Sequence, residues 1–159
     1  MSDSILDGKR ILAVDDEPDV LAALEAEIED GCPGCLFDRA TTYETAAEKL
    51  KTNDYDIVIL DIMGIRGFEL LEIAVQRQFR AVMLTAHAVS PEALKKSHDM
   101  GARSYLPKEK MGEILPFLED VLKYEHRTGW KRLLDKLENY FDDRFDPDWK
   151  RKADPGYWW

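Results

Sequence analysis

Short runs of contiguous apolar residues alternate along the chain with longer segments in which apolar positions recur every three or four residues. The short runs are Arg10–Val14 (RILAV), Leu36–Ala40 (LFDRA), 57–60 (IVIL), 81–84 (AVML) and 104–106 (SYL). Their length and their Ile and Val content predict β-strands. Between them, 18–29 places Val20, Leu21, Leu24 and Ile28 on one face and acids on the other, which predicts a helix ending at the Gly31-Cys32-Pro33-Gly34 breakers. Further helices are predicted over 42–50, opened by a capping series at Thr41, Thr42 and Glu44/Thr45, and over 68–76, 91–100 and 113–122. The strands read as continuous apolar runs, not as alternating ones, so they are expected to be buried on both faces. Strand–helix alternation of this kind requires crossovers, and hence an α/β fold with a doubly wound parallel sheet.

The pattern changes after residue 122. Residues 123–159 hold all four Trp and 9 of the 16 aromatics. Trp130, Leu133, Leu134, Leu137, Tyr140, Phe141 and Phe145 fall at helical spacing, with Thr128 as the expected N-cap, Gly129 as a break from the preceding helix, and Asp146-Pro147 as a stop. Two units are therefore expected: 1–122, and an aromatic-rich amphipathic helical extension over 123–159. The simplest use of that stripe is to pack back on the first unit. Its Trp and Tyr enrichment also suits a partner surface or a homodimer.

Charge narrows the function. The net charge is −10; residues 1–122 carry 13 basic and 24 acidic side chains, residues 123–159 carry 9 and 8. An acidic bulk surface disfavours nucleic acid, and a tail whose polar face mixes both signs disfavours a membrane surface. The first residues, MSDSILDGKR, lack a signal-peptide pattern, and no apolar run reaches the ~20 residues of a membrane span. A cytoplasmic protein is expected. The only cysteines, Cys32 and Cys35, stand in GCPGC. The C-x-x-C spacing fits redox pairs and half-zinc sites, but this one follows a helix C-terminus, where no helix dipole lowers a thiol pKa. A turn is the favoured reading, with a zinc site shared between two chains as the remaining alternative.

The candidate chemistry sits at strand ends, where open parallel sheets bind ligands. The first strand delivers Asp15-Asp16-Glu17, the third Asp61, the fourth Thr85, and the fifth Lys108 by way of Tyr105-Leu106-Pro107. Clustered carboxylates need a counter-charge, and a hard divalent cation such as Mg²⁺ suits oxygen ligands. A hydroxyl and an ammonium opposite it would complete a phosphoryl pocket, with Asp61 as nucleophile. Each residue alone has a blander explanation: an N-cap, a turn threonine, a solvated lysine, a strand tyrosine. Their convergence on one sheet edge argues against it.

These residues resemble the receiver domain of two-component response regulators, through VDDEP at 14–18, VILDIM at 58–63, MLTAHA at 83–88 and SYLPK at 104–108, over about residues 8–122. The resemblance implies a flavodoxin-like (βα)5 sheet of strand order 2-1-3-4-5. It implies that Asp61 accepts a phosphoryl group from the phosphohistidine of a sensor histidine kinase or phosphotransfer protein. It assigns Mg²⁺ to Asp16, Asp61 and the backbone carbonyl of Met63, with Asp15 acting largely through water. Thr85 and Lys108 would bind phosphoryl oxygens, Tyr105 would be the aromatic that reports phosphorylation, and His87 would modulate dephosphorylation. Output is expected through contacts with an unidentified protein, because 37 residues cannot hold a DNA-binding domain. The alternative is a degenerate receiver that serves as a phosphorylation-independent binding or dimerisation module. Two departures stand out. Gly64 follows Met63 directly, shortening the loop after Asp61, and a proline precedes Lys108 where the family places one after it. A haloacid-dehalogenase-type phosphatase would need a second acid two residues after Asp61, where Met63 stands, and a flavin module would need a hydroxyl-rich loop where the chain has acids.

Overall fold

The computed structural model describes residues 4–86 and 90–149. Five strands, β1 (Arg10–Val14), β2 (Leu36–Ala40), β3 (Ile57–Asp61), β4 (Arg80–Thr85) and β5 (Ser104–Pro107), form one parallel sheet in the order 2-1-3-4-5. Helices α1 (Pro18–Gly31), α2 (Tyr43–Thr52), α3 (Gly67–Gln76), α4 (Pro91–Asp99) and α5 (Ile114–Lys123) alternate with them, and α6 (His126–Arg144) follows. In β1, β3, β4 and β5 nearly every residue is buried, whereas the edge strand β2 is half open, with Leu36 exposed. Helix α1 packs against α5 and α2 against α3, so both faces of the sheet are covered.

Local chemistry sets the helix starts. The Thr42 hydroxyl accepts from the Thr45 backbone N–H at 3.1 Å, and the Ser90 hydroxyl accepts from that of Ala93 at 3.2 Å, ahead of Pro91 in the first turn of α4. The fold thus follows the hydrophobic pattern closely up to residue 107. Beyond it, two expectations need correction. A 3-10 turn over Lys108–Glu113 intervenes before α5, which begins at Ile114 and not at 113. The break between the last two helices falls at Tyr124-Glu125, and Thr128 and Gly129 lie inside the first turn of α6, where Gly129 N–H donates to the Glu125 carbonyl at 2.8 Å. The reason lies outside the local sequence. Tyr124 is extended, and its carbonyl, freed by the end of α5, accepts from the Arg103 guanidinium at 3.2 Å. That tertiary partner fixes the reversal one turn earlier than the glycine suggested.

From this reversal α6 runs back over β5 and α5. Trp130, Leu133, Leu134, Leu137, Tyr140 and Phe141 are buried and belong to the same core as the strands. The Trp130 indole N–H donates to the Ala102 carbonyl at 2.7 Å, and Asp120 of α5 accepts from Arg132 at 3.1 Å and from Lys136 at 2.8 Å. The stripe therefore closes the fold from within. Replacing Trp130 with Ala removes a fully buried indole and its hydrogen bond to the Ala102 carbonyl. The expected cost is about 3–5 kcal/mol of unfolding free energy, read as a lowered urea midpoint. Leu36→Ser, at an exposed edge, is expected to shift the midpoint by no more than about 0.5 kcal/mol. Equal small effects would show α6 to be dispensable.

Candidate functional site

In the strand order 2-1-3-4-5, the carboxyl ends of β1, β3, β4 and β5 are consecutive neighbours. Register aligns them further: Asp61 is paired with Leu84, and Thr85 with Pro107. The residues that leave those ends are Asp15 and Asp16, Asp61 and Ile62, Thr85 and Ala86, and Lys108. Asp16, Glu17, Asp61, Met63, Gly64, Thr85, Ala86 and Lys108 line one cleft of about 400 Å³. One carboxylate oxygen from each of Asp15, Asp16 and Asp61 lies within 4.8 Å of the others, the only such grouping of potential metal ligands among the described residues.

Asp15 is fully buried and Asp61 nearly so, while Asp16 is exposed. The Lys108 ammonium stands 2.8 Å from Asp15, 3.6 Å from Asp61 and 3.6 Å from Glu17. Every peptide bond among the described residues is trans, so Lys108 reaches the acids with its proline on the upstream side. The acids also use local donors: Glu17 N–H donates to Asp15 at 2.9 Å. One lysine against three clustered carboxylates leaves the cleft negative. Burial, and then the Asp15 charge, push Asp61 up to about 6 from its ordinary 3.8, against the opposing pull of Lys108. Burial also raises Asp15. Burial works against the Lys108 charge as well, but the carboxylates outweigh it and its pKa is raised.

The loop after Asp61 is short because it is tightly folded. Gly64 has φ +88°, and a Cβ there would lie 2.7 Å from an Asp16 carboxylate oxygen. Gly67 opens α3 directly beneath Asp61, where a Cβ would meet the Asp61 carbonyl at 2.1 Å. Between them Ile65 is buried, Arg66 is left-handed at φ 56°, and its guanidinium lies 3.9 Å from the centre of the Tyr43 ring. Gly64 and Glu17, which the sequence places beside the site without assigning them a role, both line the cleft. The first was visible as a glycine directly following Met63, the second as the third acid of DDE.

Tyr105 sits at the other end of this network. It is 1% exposed, its ring faces Phe141 of α6 at 6.3 Å, and its hydroxyl is buried without a hydrogen-bond partner among the described residues. Glu109, the neighbour of Lys108, accepts from the Tyr140 hydroxyl at 2.6 Å and from Arg144 at 3.2 Å. The fifth strand end is thus joined to α6 by both apolar and charged contacts. Of the residues expected in the site, the fold brings Asp15, Asp16, Asp61, Met63, Thr85 and Lys108 together and sets Tyr105 one layer back. His87 lies outside the described residues.

The comparisons agree with this geometry. Residues 11–118 match the response regulator receiver domain family, and the chain belongs to that family. It is 36% identical over 107 residues to the two-component response regulator ARR18 of Arabidopsis thaliana, covering 64% of this chain and 16% of that protein. It is 36% identical over 105 residues to the transcriptional regulatory protein TcrA of Mycobacterium tuberculosis, covering 64% of this chain and 40% of that protein. The chain therefore spans less than half the length of these relatives. Among solved structures, a LuxR-family two-component response regulator from Aurantimonas superposes with a TM-score of 0.66 at 26% identity, covering 74% of this chain and 86% of that one. The Francisella response regulator 1452 receiver domain superposes with a TM-score of 0.63 at 22% identity, covering 72% and 97%. No described helix is long and apolar enough to cross a membrane.

Two outcomes are expected of the cleft itself. Because Asp61 keeps its proton to about pH 6 when folded but loses it near 3.8 when unfolded, its ionisation weakens the metal-free fold as pH rises through that window. Asp61→Asn is therefore expected to raise the stability of chelator-treated protein by about 2–3 kcal/mol at pH 7.5. That gain should vanish below about pH 4, as read by urea unfolding at both pH values. A gain that persists at low pH would assign it to packing. Gly64→Ala forces a Cβ against Asp16 in a left-handed backbone, and is expected to lower Mg²⁺ affinity by about tenfold in a fluorescence titration.

Proposed function

We propose that the chain is a phosphoacceptor of a two-component or phosphorelay system, carrying the phosphoryl group on Asp61. The observation that supports this reading most is the pairing of a nearly buried carboxylate with one lysine and two further acids at a single sheet edge. Burial, and then the Asp15 charge, hold Asp61 above its ordinary range, and a cation in the cleft would relieve both. The donor set is all oxygen and net negative, which fits Mg²⁺. Asp16, Asp61 and the Met63 carbonyl would hold the ion, with Asp15 acting through water. When bound, it offsets the carboxylate repulsion and neutralises charge on the incoming phosphoryl group.

The residues divide the remaining work. An Asp61 oxygen forms the bond to phosphorus as the N–P bond of the donor phosphohistidine breaks, and the departing imidazole takes up a proton. Deprotonation of Asp61 readies the nucleophile, and Lys108, already between Asp15 and Asp61, turns to the phosphoryl oxygens. Thr85, buried at the end of β4, offers its hydroxyl to the same group. Ala86 beside it leaves the cleft open. The partners that follow are a sensor histidine kinase or phosphotransfer protein and an output protein recognised by contact, while the protein itself is a signalling module and not an enzyme. A homodimer through the extension would use the outer face of α6, where Lys131, Asp135 and Asn139 are exposed, since the aromatic face is turned inward.

Incubation with a small acyl phosphate is the direct test. Wild-type protein with Mg²⁺ is expected to gain one phosphoryl mass, which is lost on brief alkaline treatment. Asp61→Asn, and wild type with excess chelator, should gain none. An unmodified wild type whose fluorescence does not respond to Mg²⁺ would overturn the proposal in favour of a phosphorylation-independent binding module.

A further inference from the structure

The turn that ends α1 has a second property. Cys32 caps α1 through its N–H to the Ile28 carbonyl at 2.7 Å, and Cys35 N–H returns to the Cys32 carbonyl at 3.1 Å. Pro33 and Gly34 complete this tight turn, and it brings the two sulfurs to 3.0 Å. A disulfide needs about 2.05 Å, so the sulfurs must close by only about 1 Å. The segment before β1 braces the turn: Gly8 N–H donates to the Gly34 carbonyl at 3.0 Å, and the Cys35 thiol lies 3.2 Å from the Leu6 carbonyl.

The two thiols differ in access. Cys32 is fully buried, whereas Cys35 is half-buried and opens on a cleft of about 160 Å³ shared with Glu25, Ile28, Glu29, Pro33 and Phe37. No third His, Cys or carboxylate joins them among the described residues, so the pair is not a metal site within one chain. What the geometry offers is one thiol open to the surface and a second one held behind it.

We propose that Cys32 and Cys35 are a redox modification site, a dithiol that low-molecular-weight disulfides convert to an intramolecular disulfide. The Cys35 sulfur, as thiolate, attacks one sulfur of the small disulfide. That S–S bond breaks, a mixed disulfide forms, and the first small thiolate leaves with a proton. The Cys32 sulfur then gives up its proton, attacks the Cys35 sulfur and expels the second small thiol. Two protein thiols are oxidised and one small disulfide is reduced to two thiols. The surroundings set the pace: burial, then Cys32 and Asp7, push the Cys35 thiol up to about 12. Thiolate is scarce at neutral pH, so exchange is slow, and for the same reason the closed disulfide has poor leaving groups and resists reduction.

The pair lies at the amino ends of the strands, since Leu36 is paired with Arg10, while the acidic cleft lies at the carboxyl ends, roughly 16 Å away along a five-residue strand. Oxidation is therefore expected to leave Mg²⁺ binding unchanged and to act on the segment before β1, whose Leu6 carbonyl loses its thiol donor.

Full-length protein in chelator-containing buffer, incubated with oxidised glutathione, tests this by intact mass and thiol titration. The expected product has lost two hydrogens and both titratable thiols, remains one chain on non-reducing gels, and reverts with dithiothreitol. Cys32→Ser should stop at a stable glutathione adduct on Cys35, and Cys35→Ser should stay unmodified. Retention of both thiols, arrest of the wild type at the mixed disulfide, or cross-linking between chains would each overturn the proposal. Should a serine variant fail to fold, the wild-type mass and thiol count decide alone.

Discussion

The cleft depends on Lys108 lying between two buried carboxylates. Without that ammonium, Asp15 and Asp61 would face each other at the end of a water-poor sheet with nothing to balance them. With it, the balance is still incomplete. Two charges a few ångströms apart interact by several kcal/mol at the effective dielectric of a protein edge, and one cation cannot satisfy three acids. Burial, and then the uncompensated Asp15 charge, push Asp61 up to about 6. On the proposed reading, the same imbalance would favour a cation and the charge redistribution that phosphorylation would bring. A fully neutralised cleft would be more stable and would have nothing to exchange.

Sheet topology makes this imbalance affordable elsewhere. The 2-1-3-4-5 order places four strand ends side by side, and uninterrupted apolar strands bury the hydrogen-bonded ladder on both faces. Two glycines then let the backbone crowd the acids: Gly64 over Asp16, and Gly67 under the Asp61 carbonyl. At both glycines it is backbone, with no Cβ, that lies closest to the acids.

Much of this was legible in the sequence, for physical reasons that differ by element. Strands 10–14 and 57–60 were readable because burial on both faces leaves no choice but contiguous apolar residues. The acids after them were readable because several strand ends deliver polar groups to one sheet edge, which outweighs the capping role each acid could fill alone. The Thr42 cap and the turn at Pro33-Gly34 were written in local chemistry. What escaped was set by distant partners. The α5–α6 reversal follows an Arg103 guanidinium, not Gly129, and the left-handed Arg66 is accompanied by a stacking contact with Tyr43. The 3-10 turn after Lys108 carries Glu109 to Tyr140 and Arg144, an anchor formed 31 residues away along the chain. Periodicity showed that 130–145 had an apolar face, but not which surface would cover it.

Knowing that surface constrains how a signal could leave the domain. Six buried side chains of α6, at roughly 1.5–3 kcal/mol each, represent a gross stabilisation on the order of 10 kcal/mol or more. Coupling between a modified site and a distant surface is typically about 1–3 kcal/mol. If Asp61 is phosphorylated as proposed, a coupling of that size is small beside the gross burial of α6. It is enough to shift a polar contact, and the one adjoining the cleft is Glu109 with Tyr140 and Arg144, a single peptide bond from Lys108. Tyr105, sealed beneath Phe141, cannot swing outward while α6 stays docked. On the proposed reading, a change started at Lys108 would reach the last turns of α6 through the 3-10 turn, as a small displacement of a docked helix.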